Sequence, residues 1–97
     1  MRLSHQRVRS SRDLGQVIAA ARRRKGLTQR QVAGALGVTQ AWVSRLEQGK
    51  QRAWVGQVLR LMAYLGIDLD CTLRDDLAAV KAAAAPGTHA SLDDIVD

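Results

Sequence analysis

The sequence predicts an all-α bundle of four to five helices, followed by a single C-terminal β-strand that pairs across a homodimer. Aromatic residues make up 3% of the 97 residues and proline occurs once, so the core must be aliphatic, which favours helices over a β-sandwich. Apolar residues recur at helical spacing in four stretches between residues 11 and 66, and they alternate strictly over residues 67–74. A chain of this length fits one domain.

Composition also limits the class of function. Cys71 is the one cysteine, so an internal disulfide cannot form, and no Cys/His cluster has the spacing of a zinc site. The sequence therefore predicts no metal and no cofactor. No apolar run reaches the about 18 residues that a membrane span needs, and the basic start of the chain lacks the apolar stretch of a secretion signal. We expect a cytoplasmic protein.

The charge is divided unevenly along the chain. Residues 1–60 carry thirteen Lys and Arg against two acids, a net charge of +11, whereas residues 61–97 carry two Lys and Arg against seven Asp, a net charge of −5. A basic front half indicates a polyanionic partner such as a nucleic acid. The alternative is a solvated basic surface that keeps the protein soluble.

Residues 1–10 form a basic N-terminal arm, and the first helix begins after it. The inward positions of this helix have the spacing of one helix face, and they are Leu14, Val17, Ile18 and Ala21. The basic run Arg22–Lys25 suits the end of the helix, where cations complement the dipole, and Gly26 suits a left-handed cap. The run either binds phosphate or forms a solvated helix end.

Two short helices follow. We expect the second over residues 28–36 and the third over residues 39–48, each opened by a threonine and ended by a glycine. Thr28 and Gln31 have the spacing of a capping box, which fixes the start of the second helix.

A fourth helix is expected over residues 53–65, with two apolar rows. One row is Val55, Val58, Leu59 and Met62, and the second row is Trp54, Leu61 and Leu65. So wide an apolar surface exceeds what a small bundle buries, which indicates a subunit interface. We interpret Trp54 as a core or dimer-interface residue rather than as a platform for base stacking.

The spacing of the apolar residues changes from helical to alternating after Gly66. The apolar positions of residues 67–74 alternate with polar ones, which is typical of a half-buried strand. No second strand of equal quality is visible, so the simplest partner is the same strand of a second copy, and the segment around Val8 is the weaker candidate. The predicted dimer interface consists of Trp54, Leu61, Leu65, Ile67, Leu69, Cys71 and Leu73.

Residues 75–97 form a C-terminal extension. An Ala-rich helix is expected from Asp75 to Ala85, and Pro86 ends it. The last residues, SLDDIVD, are acidic, and we expect a loosely ordered tail.

The strongest motif is TQRQVAGALGVTQAWVSRLEQG, residues 28–49, within a domain predicted over residues 11–66. Two helices joined by a tight turn leave polar side chains on the outer face of the later helix, and such a face fits the major groove of DNA. The segment resembles the helix-turn-helix of the Cro/C1-type (XRE) family, in a lambda-repressor-like bundle, over about residues 14–66. The resemblance is carried by Thr28, Gln29, Ala33, Leu36, Gly37, Val38, Val43, Ser44 and Glu47 to Gly49.

The resemblance implies roles for individual residues. The positions that face base edges are Gln40, Ala41, Ser44 and Arg45, where Arg can pair with guanine and Gln with adenine. The positions that contact the DNA backbone are Gln29, Thr39, Trp42, Lys50 and Arg52.

Two further assignments from the resemblance have alternatives. Arg22 aligns with a family Arg that pairs with the Glu at the end of the third helix, here Glu47, and we favour this structural ion pair over a DNA contact. Trp42 stands where a small polar residue is usual. It either packs against the sugar-phosphate backbone or covers the second helix.

The parts outside the motif narrow the expected role. A helix-turn-helix followed by one strand and a short tail resembles the HipB-type antitoxins. That resemblance implies a homodimer on an inverted-repeat operator, nucleoid-associated when bound, which represses its own type II toxin–antitoxin operon and neutralises a HipA-type kinase toxin. The alternatives are a stand-alone or phage-type XRE regulator without a toxin, and an interaction module that binds no DNA. An enzyme is not expected, because His5 and His89 lie near the ends of the chain and no phosphate loop is present.

Overall fold

The computed structural model describes residues 4–75, which contain four helices. They are α1 (Ser11–Arg24), α2 (Gln29–Leu36), α3 (Gln40–Glu47) and α4 (Val55–Tyr64). The predicted all-α fold class is confirmed, and the helices lie within about two residues of the expected bounds. The expected Ala-rich helix and acidic tail lie outside the described residues, as do the first three residues of the arm.

Side-chain caps fix the start of the first three helices. Ser10 Oγ accepts from the N–H of Asp13 at 3.0 Å, and Thr39 Oγ1 accepts from the N–H of Trp42 at 3.0 Å. The capping box predicted for α2 is present, because Thr28 Oγ1 accepts from the N–H of Gln31 while Gln31 Oε1 accepts from the N–H of Thr28 at 2.8 Å. Each such cap stabilises its helix by about 1 kcal/mol.

The core lies where the four helices meet. Its largest fully buried side chains come one from each helix, and they are Ile18, Val32, Val43 and Leu61. Gly37 turns the chain between α2 and α3 with a φ of +71°, a conformation in which glycine carries no steric cost. The turn brings the two helices of the motif together over Val32 and Val43.

Glycines also allow α1 to pack closely on the end of α3. A Cβ at Gly15 would lie 2.4 Å from the carbonyl oxygen of Glu47, and a Cβ at Gly49 would lie 2.6 Å from the Cα of Arg12. Such distances are too short for any side chain, so only glycine permits this contact. The backbone of α1 therefore touches the backbone at the end of α3 in two places.

The buried face of α4 takes residues from both apolar rows of the sequence. Leu61 and Leu65 are 0% and 2% exposed, so these two residues belong to the core of the chain, and their assignment to a dimer interface is wrong. In the other row, Val55 is 73% exposed and Leu59 is 45% exposed, whereas Met62 is buried. The physical reason is that Val58, Leu61, Met62 and Leu65 have the spacing of one side of a helix. This side of α4 faces α2.

Trp54 lies outside the core. It is 80% exposed, and it precedes α4, where its N–H donates to Gln57 Oε1 at 3.3 Å. Of the two interpretations given to Trp54, burial in the core is wrong, and a place in a dimer interface remains a prediction.

Residues 67–75 form no strand in this chain. A strand requires a neighbour for its backbone hydrogen bonds, and the predicted neighbour is a second copy, so the pairing over residues 67–74 stays a prediction. Ile67 differs from the other members of this segment, because it packs against the core and its N–H donates to the carbonyl of Met62 at 2.8 Å. Leu69, Cys71 and Leu73 are exposed.

Among the helices of residues 4–75, none combines the length and the apolar character that crossing a bilayer requires.

Candidate nucleic-acid interface

Helix α3 presents one polar face to solvent and one apolar face to the core. Gln40, Ala41 and Arg45 are exposed and Ser44 is half-buried, whereas Val43 and Leu46 are buried. The structure therefore brings the four predicted base-facing residues together on one face. An α-helix with its side chains is about 10–12 Å across, so it fits the major groove of B-DNA, which is about 12 Å wide.

A buried ion pair fixes the end of α3 against α1. Arg22 Nε donates to Glu47 Oε2 at 2.6 Å, and Arg22 Nη2 donates to Glu47 Oε1 at 3.1 Å. Arg22 Nη1 also donates to the carbonyl of Leu27 at 2.8 Å, so one guanidinium holds α1, α3 and the turn before α2. The hydrogen bond to Glu47 raises the pKa of Arg22, burial opposes it, and the charge of Glu47 adds to the rise. Since Arg22 is 9% exposed, this geometry supports a structural role over a DNA contact.

Gln29 extends this pair to α2. Its Nε2 donates to Glu47 Oε1 at 3.0 Å, so the carboxylate of Glu47 accepts from α1 and α2 together. Gln29 is the first residue of α2, where backbone N–H groups have no partner within the helix. Its remaining amide hydrogen and its backbone N–H are suitable donors for a phosphate. We refer to Arg22, Gln29 and Glu47 as the brace.

Arg45 is oriented by a residue that the sequence analysis missed. Its Nε donates to Gln51 Oε1 at 2.7 Å, and Gln51 Nε2 donates to the carbonyl of Arg52 at 2.6 Å. With Nε held from behind, the two Nη groups stay available for a paired contact with guanine. Gln51 lies beyond the end of α3, so no helical periodicity connects it with Arg45.

A groove of about 340 Å³ lies beside the brace. Its lining residues are Gln16, Ala19, Arg23, Gln29, Ser44, Glu47 and Gln48. Gln48 Nε2 donates to Ser44 Oγ at 3.1 Å, which leaves the hydroxyl hydrogen of Ser44 as a donor. Gln16 and Gln48 were missed by the sequence analysis, and Arg23 was left open between phosphate binding and solvation. Several hydrogen-bond donors and the positive charge of Arg23 line this groove, so it is suitable for a phosphate.

The residues predicted to contact the DNA backbone lie in three environments. Lys50 and Arg52 are exposed in the segment between α3 and α4. Thr39 caps α3, so its oxygen is engaged and its hydroxyl hydrogen is available. Trp42 is half-buried against the core and lines a cavity of about 220 Å³ with the α2–α3 turn and Arg60 of α4. Of the two alternatives for Trp42, this position supports covering α2.

Comparison with known proteins places these features in a family. The family model described as "Helix-turn-helix domain" matches residues 13–77. The chain is 33% identical over 64 residues to the uncharacterized HTH-type transcriptional regulator y4mF of Sinorhizobium fredii (strain NBRC 101917 / NGR234), across 66% of this chain and 84% of that protein.

Solved structures show the same fold. A HipB variant in complex with an O2 20mer matches with a TM-score of 0.61 and 25% identity, over 74% of this chain and 97% of that chain. A HipA-HipB-O2-O3 complex contains a chain that matches with a TM-score of 0.60 and 24% identity, over 73% of this chain and 97% of that chain.

Proposed function

Because this chain belongs to the helix-turn-helix domain family, we propose that it represses transcription by placing α3 in the major groove of an operator. It is a DNA-binding transcriptional regulator of the XRE type. The observation that carries the proposal is the exposed polar face of α3, which the brace holds against α1 and α2.

Base readout and backbone binding are divided between two sets of residues. Gln40 and Arg45 read base edges with paired hydrogen bonds, each worth about 1–3 kcal/mol of discrimination, while Ala41 contacts a thymine methyl and Ser44 donates to a base or a phosphate. Gln29, Thr39, Lys50 and Arg52 grip phosphates, which adds affinity without sequence information. Trp42 supports the position of α3 from the core side. The orientation of Arg45 by Gln51 supports this division.

A homodimer places two copies of α3 about one DNA turn apart, so the operator is an inverted repeat. Support for the dimer comes from large apolar side chains that stay exposed within residues 4–75. Trp54, Leu69 and Leu73 are 80%, 58% and 86% exposed, and an isolated surface of this kind is costly in water. Repression follows because the bound dimer excludes RNA polymerase from the promoter.

The test is binding to the promoter fragment upstream of the protein's own gene. We expect tight binding that weakens steeply with salt, because phosphate contacts release counterions. Arg45→Gln should weaken binding by about 5- to 150-fold and relax discrimination at one base pair. Arg60→Gln is the matched control, since it removes the same charge from the exposed surface of α4. The proposal fails if the wild type binds no DNA, or if the two variants bind equally.

Within this role, we propose that the protein is the antitoxin of a HipBA-like operon and neutralises a HipA-type kinase. Support comes from the likeness to the HipB variant, at 25% identity over 97% of that chain. Co-expression with the neighbouring reading frame tests it. A kinase-sized protein that co-purifies in stoichiometric amounts, with its toxicity suppressed, supports the antitoxin role. A protein that elutes alone and still binds its promoter is a stand-alone or phage-type XRE regulator instead.

A further inference from the structure

We propose that the N-terminal arm is a second DNA-binding element, in which Arg7 and Arg9 bind phosphates of the strand that Lys50 and Arg52 contact. The inference rests on the proposed function and extends it to a segment outside the helix-turn-helix. It is carried by how the arm is anchored, by where it leaves the domain, and by its charge.

The end of the arm is anchored to the start of α1. Asp13 Oδ2 accepts from the backbone N–H of Arg9 at 3.0 Å, while the N–H of Asp13 donates to Ser10 Oγ at 3.0 Å. These reciprocal hydrogen bonds fix the direction in which the chain enters the helix. They use the backbone of Arg9 and leave its exposed guanidinium available.

The arm leaves the domain next to the segment that follows α3. A Cβ at Gly49 would lie 2.6 Å from the Cα and 2.7 Å from the N of Arg12, so the first turn of α1 and the residue before Lys50 are in direct backbone contact. Lys50 begins the segment that carries the predicted phosphate contacts. A polyanion bound by Lys50 and Arg52 is therefore within reach of the arm.

Among residues 4–75, no acidic side chain forms an ion pair with the arginines of the arm. Residues 4–12 contain Arg7, Arg9 and Arg12 and no acid, and all three are exposed. Over the part of the chain that the structure describes, the one ion pair joins Arg22 to Glu47. Asp13, the nearest acid in sequence, accepts from a backbone N–H instead. A basic segment of this kind favours a phosphate backbone.

The length of the arm sets how far it can follow the strand. Residues 4–9, when extended, span about 20 Å, which corresponds to about six base pairs of B-DNA. Since the contacts are to phosphates, they add affinity on any sequence and add no base preference.

The experiment compares two double variants on the promoter fragment of the protein's own gene. Arg7→Gln with Arg9→Gln removes the arm charges, and Arg60→Gln with Arg74→Gln removes the same charge from exposed positions on α4 and after it. The arm variant should reduce the slope of log affinity against log salt by about 2 per protomer, at about 0.9 per lost phosphate contact. Hydroxyl-radical footprinting should show shorter protection on one strand of each half-site. The control variant should keep the wild-type slope and footprint.

A third variant separates phosphate binding from base readout. Arg7→Lys with Arg9→Lys keeps the charge and loses the paired donors of the guanidinium, so it should keep the wild-type slope. The inference is overturned if the arm variant and the control variant have equal slopes and equal footprints. The assignment to phosphates is overturned if the Lys variant has a reduced slope. A wild-type protein without salt-dependent DNA binding overturns the proposed function itself, which is a different result.

Discussion

Two regions of the molecule are held by different forces. The first is the contact of α1 with α3, and the second is α4 with the segment that follows it. At the contact of α1 with α3, glycines bring backbones together. The buried guanidinium of Arg22 donates to Glu47 and to the carbonyl of Leu27, and Gln29 also donates to Glu47. Around α4 the contacts are apolar, and Val55, Leu59, Leu69 and Leu73 stay exposed.

The difference separates, within residues 4–75, a region whose contacts are closed from a region that leaves apolar surface open. The position of α3 is over-determined by contacts within the chain, as a helix that reads DNA requires. The surface of α4 and residues 67–75 keeps apolar area that no other residue of the described range 4–75 covers. Substitutions should therefore separate the two regions, with large effects on folding at the first and effects on assembly at the second.

The largest effect on folding is expected at the brace. Glu47→Ala leaves the buried guanidinium of Arg22 without its charged partner and Gln29 without its acceptor. Breaking a buried ion pair in this way costs about 3–5 kcal/mol of unfolding free energy, because the remaining charge is desolvated and unpaired. Urea unfolding followed by circular dichroism measures it.

The control for Glu47→Ala removes the charges of Arg22 and Glu47 together. Arg22→Met with Glu47→Leu leaves no buried unpaired charge, so this double variant should be more stable than Glu47→Ala despite carrying more substitutions. A Glu47→Ala protein within about 1 kcal/mol of wild type would show that water reaches Arg22, and that the brace does not hold α3.

Local patterns account for the helices, and tertiary contacts account for what the sequence analysis missed. The capping box of Thr28 and Gln31 and the ends of the helices depend on neighbours in sequence, so they are visible in it. Arg22 and Glu47 are 25 positions apart, and only the family resemblance connected them. The contact of Arg45 with Gln51 has no local signature. On α4, two apolar rows were present, and packing on the other helices buries part of each.

An intermediate effect on folding is expected at the contact of Gly49 with α1. Gly49 has a φ of +76°, and its added Cβ would also meet the backbone of Arg12, so Gly49→Ala combines backbone strain with a clash. We expect a loss of about 2–4 kcal/mol in unfolding free energy. Gly37→Ala is the matched control, because Gly37 has a φ of +71° with nothing within 4 Å, and it should lose only about 1 kcal/mol. Equal losses in urea unfolding would show that α1 can move away from the end of α3 without cost.

The smallest effect on the folding of one chain is expected in the segment after α4. Leu69→Ala with Leu73→Ala alters exposed side chains, so the unfolding free energy of the dilute protein should stay within about 0.5 kcal/mol of wild type. At high concentration the wild type should have the larger unfolding free energy. The expected dimer adds stability by mass action, and the variant loses the apolar surface that would form it.

Trp54 provides the signal for this last comparison. With Trp42→Phe in both proteins, Trp54 is the remaining tryptophan, and at 80% exposure its fluorescence should shift to the blue when a second chain covers it. The shift should appear with rising concentration in the otherwise wild-type protein and be weaker in the double variant. Sedimentation equilibrium supplies the independent mass. A monomer throughout the micromolar range would contradict the dimer.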